Sequence, residues 1–366
     1  MILNRRDYLI ASGLALSGLV LPAVPGNTEG TMHPLSARLS FNENPFGPSR
    51  LALAAIQREF GDLCRYADKK ADVLTPAIVA RENVPADQVV LGEILEALGL
   101  HLAKAGPSGG EFIYSEPGYT ALVDAVAPAG GVVVGVPLDQ NLQNDLDAIA
   151  AKVNARTQAL YLVNPHNPSG TVSDQVKFTA FVSEMSERAT VIVDEAYLEF
   201  EPDFAERTVV GLTRAGKNVI VFRTFDKIFG LAGLAMGYAV APKALAASLK
   251  RAGVGSSETL GRLALTASAS SLKDTEYVAT VRGKVIAERD KWHRLFDSLK
   301  FRYSDARGNF VFFETGRPQQ EIAAALRAKG IDIGRAFPPL DHWARISIGL
   351  PEENAVARSA VKELLG

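Results

Sequence analysis

Short apolar runs, most of them rich in β-branched residues, recur along residues 88–242 and alternate with turns and helical segments. Continuous apolar runs of this length are typical of buried strands, and helices on both faces of a parallel sheet bury strands in this way. The predicted strands are 88–92, 112–115, 131–137, 159–163, 190–194 and 218–222. The predicted helices are 93–105, 173–188 and one that Ser49 caps and that ends near residue 60.

The pattern changes after Pro242. Helical spacing continues through 243–253 and 260–300, and a mixture of strands and a helix follows. The predicted elements of this mixture are strands at 309–313, 331–335 and 343–351 and a helix at 319–330. With a length of 366 residues, the change predicts two domains, a large one at 49–242 and a smaller one at 243–366.

The composition is that of an ordinary globular protein, with 47% hydrophobic residues, 22% charged residues and a net charge of -2. No basic excess indicates binding to nucleic acid or to a membrane surface. The single cysteine, Cys64, excludes an internal disulfide framework and a multi-cysteine metal site. The five histidines lack metal-ligand spacing, so no metal site is predicted.

The first 26 residues have the pattern of an export signal. Arg5 and Arg6 precede an uncharged apolar stretch, 9–21, which is too short for an ordinary membrane-spanning helix. The paired arginines resemble a twin-arginine signal, and a Sec signal or an uncleaved anchor are the alternatives. We therefore expect a periplasmic or otherwise exported protein with no stable membrane insertion after signal removal. It is cytoplasmic if the signal is not functional.

The candidate for covalent chemistry is Lys227. It follows the predicted strand 218–222 and precedes glycines at 230, 233 and 237. Burial without a partner lowers the pKa of an amine, and the neutral amine is the form that makes a Schiff base. A surface lysine beside a glycine-rich loop is the alternative.

Two further segments place polar groups directly after predicted strands. The strand 190–194 ends in Asp194, and open α/β sheets bind ligands along that edge. The segment 164–170, Asn-Pro-His-Asn-Pro-Ser-Gly, follows the strand 159–163. A strand that ends in Asp-Glu also occurs in nucleotide-binding proteins, but no phosphate-binding Gly-x-x-x-x-Gly-Lys motif accompanies it.

The segment 223–238 resembles the Schiff-base lysine segment of enzymes with the aspartate aminotransferase fold, in particular the histidinol-phosphate aminotransferase family. The segments 42–45, 65–68, 164–170, 190–197 and 345–349 resemble other motifs of that family, in the same order. The resemblance implies an α/β pyridoxal-phosphate-dependent transferase fold (fold type I). A large domain contains a mostly parallel sheet, a small α+β C-terminal domain follows, and an N-terminal segment, 27–48, joins them. It also implies a homodimer.

The resemblance implies a role for each matching residue. Lys227 binds pyridoxal 5'-phosphate as an imine and later moves the α-proton of the substrate. The implied cofactor contacts are Asp194 at the ring nitrogen, Asn167 and Tyr197 at the phenolic oxygen, Tyr119 on the ring face and Tyr66, from the other subunit, at the phosphate. The implied substrate contacts are Arg345 and, in the segment across the mouth of the site, Asn44. From the local sequence alone, core packing explains the tyrosines Tyr66 and Tyr119 equally well.

The sequence departs from the family where the cofactor phosphate is held. The Gly-Ser loop before Glu93 is cut back, Asp226 replaces a serine and Ala235 replaces an arginine. These changes predict weak binding of the phosphate. The alternatives are that Arg223 or Arg262 supplies the missing cation, that Asp226 turns away, or that the preferred cofactor lacks the phosphate.

The resemblance implies an aminotransferase that uses a small-molecule amino donor and a 2-oxo acid acceptor. A pyridoxal-phosphate lyase, decarboxylase or racemase on the same scaffold is the second possibility. A binding protein that has lost turnover is the third. Amino transfer that depends on a 2-oxo acid separates the first two, and absence of cofactor absorbance would favour the third.

Overall fold

The computed structural model describes residues 35–67, 71–255 and 260–366. The predicted signal, 1–26, lies outside the described residues. The strands are β1 (Ala37–Leu39), β2 (Val89–Leu91), β3 (Glu111–Glu116), β4 (Val132–Pro137), β5 (Thr157–Val163), β6 (Thr190–Asp194), β7 (Val219–Thr224), β8 (Gly237–Val240), β9 (Phe310–Glu314), β10 (Ile331–Ile333) and β11 (Trp343–Ser347). The helices are α1 (Arg50–Arg58), α2 (Ala71–Glu82), α3 (Leu95–Ala105), α4 (Ala121–Asp124), α5 (Leu146–Lys152), α6 (Gln175–Met185), α7 (Phe204–Arg207), α8 (Val210–Arg214), α9 (Lys243–Arg251), α10 (Arg262–Ser271), α11 (Thr275–Leu299), α12 (Gln319–Ala328) and α13 (Pro351–Leu365).

Within the described residues, seven strands form one sheet in the order β2-β8-β7-β6-β5-β3-β4. The five strands from β7 to β4 run parallel, and β8 runs antiparallel to both of its neighbours. The central strands β5, β6 and β7 are almost entirely buried, which is why their sequences are continuous apolar runs. The fold is therefore an α/β fold with a mostly parallel sheet, as predicted.

Helix boundaries follow local capping chemistry. The Ser49 hydroxyl accepts a hydrogen bond from the Ala52 N–H at 3.2 Å and so begins α1 as predicted. Helix α3 begins at Leu95 rather than Glu93, because Gly92 adopts a left-handed φ of 111° and turns the chain first. The predicted helical stretch 260–300 is two helices, and the Asp274 carboxylate caps the second one.

The N-terminal segment connects the large sheet to the C-terminal part of the chain. Strand β1 pairs in parallel with β10, and β9 pairs antiparallel with β11. On its other side the segment lies against the loop after β7. There a Cβ on Gly230 would lie only 2.2 Å from the Gly47 carbonyl oxygen, and Gly230 has a left-handed φ of 70°. Only glycine allows this close approach, which holds the N-terminal segment over the sheet edge.

Aromatic side chains of the C-terminal part pack into the core that also contains the buried face of the large sheet. Phe296 of α11 stacks on Phe313 of β9 with ring centroids 4.5 Å apart, and Trp292 is fully buried beside it. In the part of the chain that the structure describes, no helix has the length and apolar character needed to span a bilayer.

Candidate active site

The polar segments meet at the carboxyl edge of the parallel strands, as predicted. They line a cavity of about 680 Å³ between the large sheet, the N-terminal segment and β10 and β11. Along this edge the order of the sheet places Asn167, after β5, beside Asp194, which ends β6, and then Lys227, after β7. Glu93, after β2, lies at the far side of Lys227.

Lys227 lies on the cavity wall in a loop that backbone hydrogen bonds hold. The Gly230 N–H donates to the Lys227 carbonyl at 3.0 Å, and the Leu231 N–H donates to the Phe225 carbonyl at 3.1 Å. The lysine amine lies 6.0 Å from the centroid of the Tyr197 ring. The structure therefore fixes the base of this side chain and leaves its amine inside the cavity.

Asp194 is fully buried at the floor of the cavity. The Tyr161 hydroxyl donates to its Oδ2 at 3.0 Å, and the Ala196 N–H donates to its Oδ1 at 2.9 Å. Burial raises the pKa of Asp194 to about 6, against the two hydrogen bonds and the Lys227 charge, which lower it. Asp194 is therefore ionised at neutral pH and oriented toward any cationic group in the cavity.

Tyr197 and Asn167 belong to one oriented hydrogen-bond network. An arginine can only donate, so the Arg345 Nη1 bond to Asn167 Oδ1, at 2.5 Å, fixes the orientation of the Asn167 amide. Its Nδ2 then donates to the Tyr197 hydroxyl oxygen at 3.3 Å, and Nδ2 of Asn42 donates to the same oxygen at 3.1 Å. Because that oxygen already accepts two bonds, the Tyr197 hydroxyl hydrogen is free to point at an acceptor in the cavity.

Two arginines mark the other side of the cavity. Arg345 is buried, donates from Nη2 to the Ser40 carbonyl at 2.9 Å and lies over the Phe337 ring at 4.9 Å. Burial, and to a smaller extent Arg335, lower the pKa of Arg345 to about 10, so it remains charged at neutral pH. Arg335 also lines the cavity and is exposed. This side of the cavity is suited to an anionic group of a ligand.

The side of the cavity near Glu93 is acidic. The Thr224 hydroxyl donates to Glu93 Oε1 at 2.6 Å, and the Asp226 N–H donates to Thr224 Oγ1 at 3.0 Å. Enclosure in the cleft and the nearby Asp226 carboxylate raise the pKa of Glu93 to about 7. Burial also raises the pKa of Asp226, whose Oδ1 has no hydrogen-bond partner among the described residues. Asp226 lines this cavity and also the neighbouring depression beside Gly233, and its carboxylate accepts a hydrogen bond from the Met236 N–H.

The arginines that could have replaced the missing cation are held elsewhere. Arg223 is buried under the sheet edge, 2.9 Å from Glu195 and 3.2 Å from Glu199. Arg262 pairs with Glu59 at 2.9 Å and lines a separate surface depression. Neither lines the cavity of its own subunit, so neither supplies the missing cation from within that subunit.

The structure does not bring every predicted site residue to the cavity. Tyr119 lines it and is 43% exposed, but Asn44 lies outside, with its Nδ2 donating to the Ile228 carbonyl at 2.8 Å. Asn42, from the same segment, instead contacts the Tyr197 hydroxyl, and the sequence did not indicate this contact. Tyr66 is 82% exposed on the surface depression that Arg262 lines. Ala235 is exposed and does not line the cavity.

Three residues of the site were not predicted from the sequence. Tyr161 supports Asp194 from β5, Asn42 supports Tyr197, and Arg335 lines the anion side. A tyrosine within an otherwise aliphatic strand and an arginine directly after β10 are signals that could have indicated the first and the third. Asn42 carries no such signal, because either asparagine of the segment 42–45 fits the motif.

Similarity to known proteins shows the family to which the chain belongs. Residues 37–361 match the family model for aminotransferase class I and II. The chain belongs to this family. This aminotransferase is 32% identical over 333 residues to a histidinol-phosphate aminotransferase of Limosilactobacillus fermentum, with 90% of this chain and 91% of the relative covered. It is also 32% identical to an aromatic amino acid aminotransferase of Thermobifida fusca over 320 residues, with 87% and 88% covered.

A solved structure of a relative has the same fold. The histidinol-phosphate aminotransferase of Sinorhizobium meliloti, in complex with pyridoxal-5'-phosphate, superposes with a TM-score of 0.82 at 28% identity. The match covers 90% of this chain and 91% of that one. The chain is therefore a pyridoxal-phosphate-dependent transaminase of the class I and II family.

The cavity of this aminotransferase fits the ring of the cofactor. Asp194 is a buried carboxylate suited to a ring N–H, and the free hydroxyl hydrogen of Tyr197 is suited to a phenolic oxygen. Lys227 supplies the amine. No group of three or more histidine, cysteine, aspartate or glutamate residues that could hold a metal occurs in the described ranges. Carboxylates line the remaining side of the cavity, toward Glu93.

Proposed function

We propose that this aminotransferase transfers the amino group of an anionic amino acid or related amine to a 2-oxo acid, in the manner of a histidinol-phosphate aminotransferase. One observation carries the proposal, namely that Lys227 shares a cavity with a buried carboxylate on one side and with Arg345 and Arg335 on the other. When bound, pyridoxal phosphate supplies a protonated ring that withdraws electrons from the bonds of the amine-bearing carbon.

Each residue of the chain has a defined task in this proposal. Asp194 keeps the proton on the ring nitrogen, because Tyr161 and the Ala196 N–H fix the plane of its carboxylate. Tyr197 donates to the phenolic oxygen, and Asn167 orients it. The Lys227 amine would hold the cofactor covalently in the resting enzyme. Once the substrate amine has displaced it, the freed Lys227 amine would carry a proton to and from the α-carbon of the substrate.

The anion side selects the substrate. Arg345 is fixed by Asn167 and by the Ser40 carbonyl, so it presents its charge in a single orientation. A carboxylate or phosphate held there orients the reacting carbon toward Lys227. Arg335, two residues after the end of β10, adds a second positive charge for a ligand with two anionic groups.

We also propose that the active enzyme is a homodimer. Large apolar side chains are exposed along the N-terminal segment and the first helix, and Tyr66 is the most exposed of them. They include Phe41 (62%), Leu51 (49%) and, in the chain after the first helix, Phe60 (56%), Leu63 (58%) and Tyr66 (82%). An apolar surface of this kind is typical of a subunit interface, and Phe41 also lines the cavity. Light scattering of the purified enzyme measures the mass directly, and a monomer at micromolar concentration would contradict the proposal.

Residues 1–26 would direct the folded, cofactor-loaded enzyme out of the cytoplasm through the twin-arginine route. An Arg5→Lys, Arg6→Lys double variant is then retained as precursor in the cytoplasm. Normal export of that variant would show that the signal is of the Sec type instead.

Borohydride reduction tests the role of Lys227. Reduction of the loaded enzyme should fix a pyridoxyl label on Lys227, and peptide mass spectrometry locates the label. Lys227→Ala should lose both the label and turnover, whereas Lys243→Ala, a surface lysine paired with Asp87, should keep both. A label on another lysine, or unchanged turnover of Lys227→Ala, would exclude the assignment.

A further inference from the structure

The acidic side of the cavity lies where the cofactor phosphate must go. The order of the sheet places Tyr197 and Asn167 on one side of Lys227 and Glu93 on the other. In pyridoxal phosphate the 3-oxygen and the 5-methylene phosphate are attached on opposite sides of the line from the ring nitrogen to the aldehyde carbon. A ring whose nitrogen faces Asp194 and whose 3-oxygen faces Tyr197 therefore directs its phosphate toward Glu93 and Asp226.

The groups on this side leave few donors for a phosphate. The single hydroxyl hydrogen of Thr224 is used on Glu93, and the Asp226 N–H is used on Thr224. The first N–H groups of α3 remain, because no side chain caps this helix at Ile94. Against them stand two carboxylates, and Asp226 Oδ1 has no partner within the described ranges.

Within one subunit, no arginine of the described residues lines the cavity beside these carboxylates. Arg223 is held by Glu195 and Glu199, and Arg262 is held by Glu59 and the Tyr66 carbonyl. Lys227 is the cation that faces this side of the cavity, and its amine is needed at the aldehyde carbon. Among the described residues of its own subunit, the phosphate therefore meets carboxylates without a dedicated positive charge.

Ionised carboxylates and phosphate oxygens can only accept hydrogen bonds. Two acceptors of like charge repel each other, and contact between them requires either a proton or a cation in between. A protonated carboxyl group, by contrast, donates a strong hydrogen bond to a phosphate oxygen.

We propose that this enzyme binds the phosphate of its cofactor together with a proton that Glu93 or Asp226 then donates to it, so that cofactor affinity depends on pH. This inference rests on the proposed cofactor role. The groups that face the carboxylate pair are Lys227, Asp194, Tyr119 and, from α3, Glu96. The raised pKa of Glu93, about 7, agrees with proton uptake near neutral pH.

The test compares pyridoxal phosphate with pyridoxal, which lacks the phosphate. Dissociation constants are measured by fluorescence at several pH values between about 7 and 9, above the phosphate pKa of about 6. Both ligands share the ring and the imine, so the contributions of these groups to binding cancel in the ratio of the two dissociation constants. One linked proton makes binding of pyridoxal phosphate weaker by about tenfold per pH unit relative to pyridoxal. Calorimetry in buffers of different ionisation enthalpy should show uptake of about one additional proton.

Variants locate the proton. Glu93→Gln carries an amide that donates at every pH. The ratio of the dissociation constants of the two ligands should therefore be nearly independent of pH in this variant, and at high pH the variant should bind pyridoxal phosphate more tightly than the wild type does. Asp226→Asn is the second variant for the same purpose. Glu96→Gln removes the same charge from the same cavity but has no contact with Thr224, so its ratio should keep the pH dependence of the wild type.

Three results would overturn the proposal. An equal pH dependence for both ligands in the wild type excludes linked proton uptake. Millimolar Mg²⁺ that restores affinity at high pH, with loss on adding a chelator, shows that a cation and not a proton lies between the groups, since Mg²⁺ binds one or two carboxylates together with phosphates. Failure of both ligands to bind at any pH overturns the proposed function as well, whereas normal binding of pyridoxal confines the failure to this inference.

Discussion

Replacing Tyr161 with phenylalanine tests how the protein keeps Asp194 charged. The Tyr161 hydroxyl donates to Asp194 Oδ2 at 3.0 Å, and both groups are buried. The substitution removes one donor to the carboxylate and leaves the Ala196 N–H on the other oxygen. The aromatic ring remains, so the packing of β5 changes little.

The size of the effect follows from the hydrogen bond. A hydrogen bond to a charged group contributes about 1.5–3 kcal/mol, and about 1.4 kcal/mol corresponds to a factor of ten in a protonation equilibrium. In the wild type the pKa of Asp194 is about 6. Loss of the donor raises this pKa by roughly one to two, which leaves much of Asp194 protonated at neutral pH.

The assay is the pH dependence of pyridoxal binding between about pH 5 and 8, where the free ligand carries a protonated ring nitrogen. A protonated Asp194 must release its proton to bind that ring, so affinity falls as the pH drops below the pKa of Asp194. The wild-type affinity should fall below about pH 6. The fall for Tyr161→Phe should begin roughly one to two pH units higher.

Tyr197→Phe is the matched control. It also removes one phenolic hydroxyl from the cavity, but that hydroxyl bonds to Asn42 and Asn167 and not to Asp194. Tyr197→Phe should bind pyridoxal more weakly at every pH, and the pH at the midpoint of the affinity change should stay that of the wild type. A midpoint for Tyr161→Phe that coincides with that of the wild type would refute the role assigned to Tyr161.

Three further predictions concern substrate binding and stability. Arg345→Lys, which loses the planar fork, should raise KM for the amino donor roughly 10- to 100-fold with a smaller change in kcat, and steady-state kinetics that show an unchanged KM would exclude Arg345 from the substrate site. Arg223→Met leaves the buried Glu195 without its cationic partner and leaves Glu199 with Arg81, so it should lower the free energy of unfolding by about 3–5 kcal/mol in urea titrations; an unchanged midpoint would contradict a stabilising role of this ion pair. Phe296→Ala, which removes a ring stacked on Phe313, should lower the free energy of unfolding by about 3–5 kcal/mol. Val176→Ala, at a 77% exposed position, should lower it by less than about 0.5 kcal/mol. Equal losses for these last two would show that the aromatic cluster does not stabilise the C-terminal part.

The sheet could be predicted from the sequence because buried parallel strands need continuous apolar runs. The runs at 159–163, 190–194 and 218–222 correspond to β5, β6 and β7, and the polar residues directly after them reach one edge. The sequence alone therefore predicts that Asp194 and Lys227 lie at the same edge of the sheet. The start of α3 was less predictable, because the left-handed turn at Gly92 delays it.

The support of the site depends on contacts between distant segments, which local patterns do not contain. Asn42 and Tyr197 are 155 residues apart, and the pairing of β1 with β10 together with the close approach of Gly47 to Gly230 brings the N-terminal segment to the cavity. The same motif, 42–45, offered Asn44 equally well, and the structure places that residue outside. The competition for Arg223 by Glu195 and Glu199 was likewise invisible in sequence, and it decides that the acidic side of the cavity lacks an arginine.

We propose that this chain transfers an amino group and that the Lys227 amine is required for the transfer. The most direct measurement supplies the loaded enzyme with a ¹⁵N-labelled amino acid and an unlabelled 2-oxo acid and follows the label by mass spectrometry. The account predicts that ¹⁵N appears in the amino acid formed from the 2-oxo acid with the wild type and with Lys243→Ala, and that Lys227→Ala forms none. Loss of carboxylate or racemisation of the donor without transfer of ¹⁵N, or equal transfer by Lys227→Ala, would contradict it.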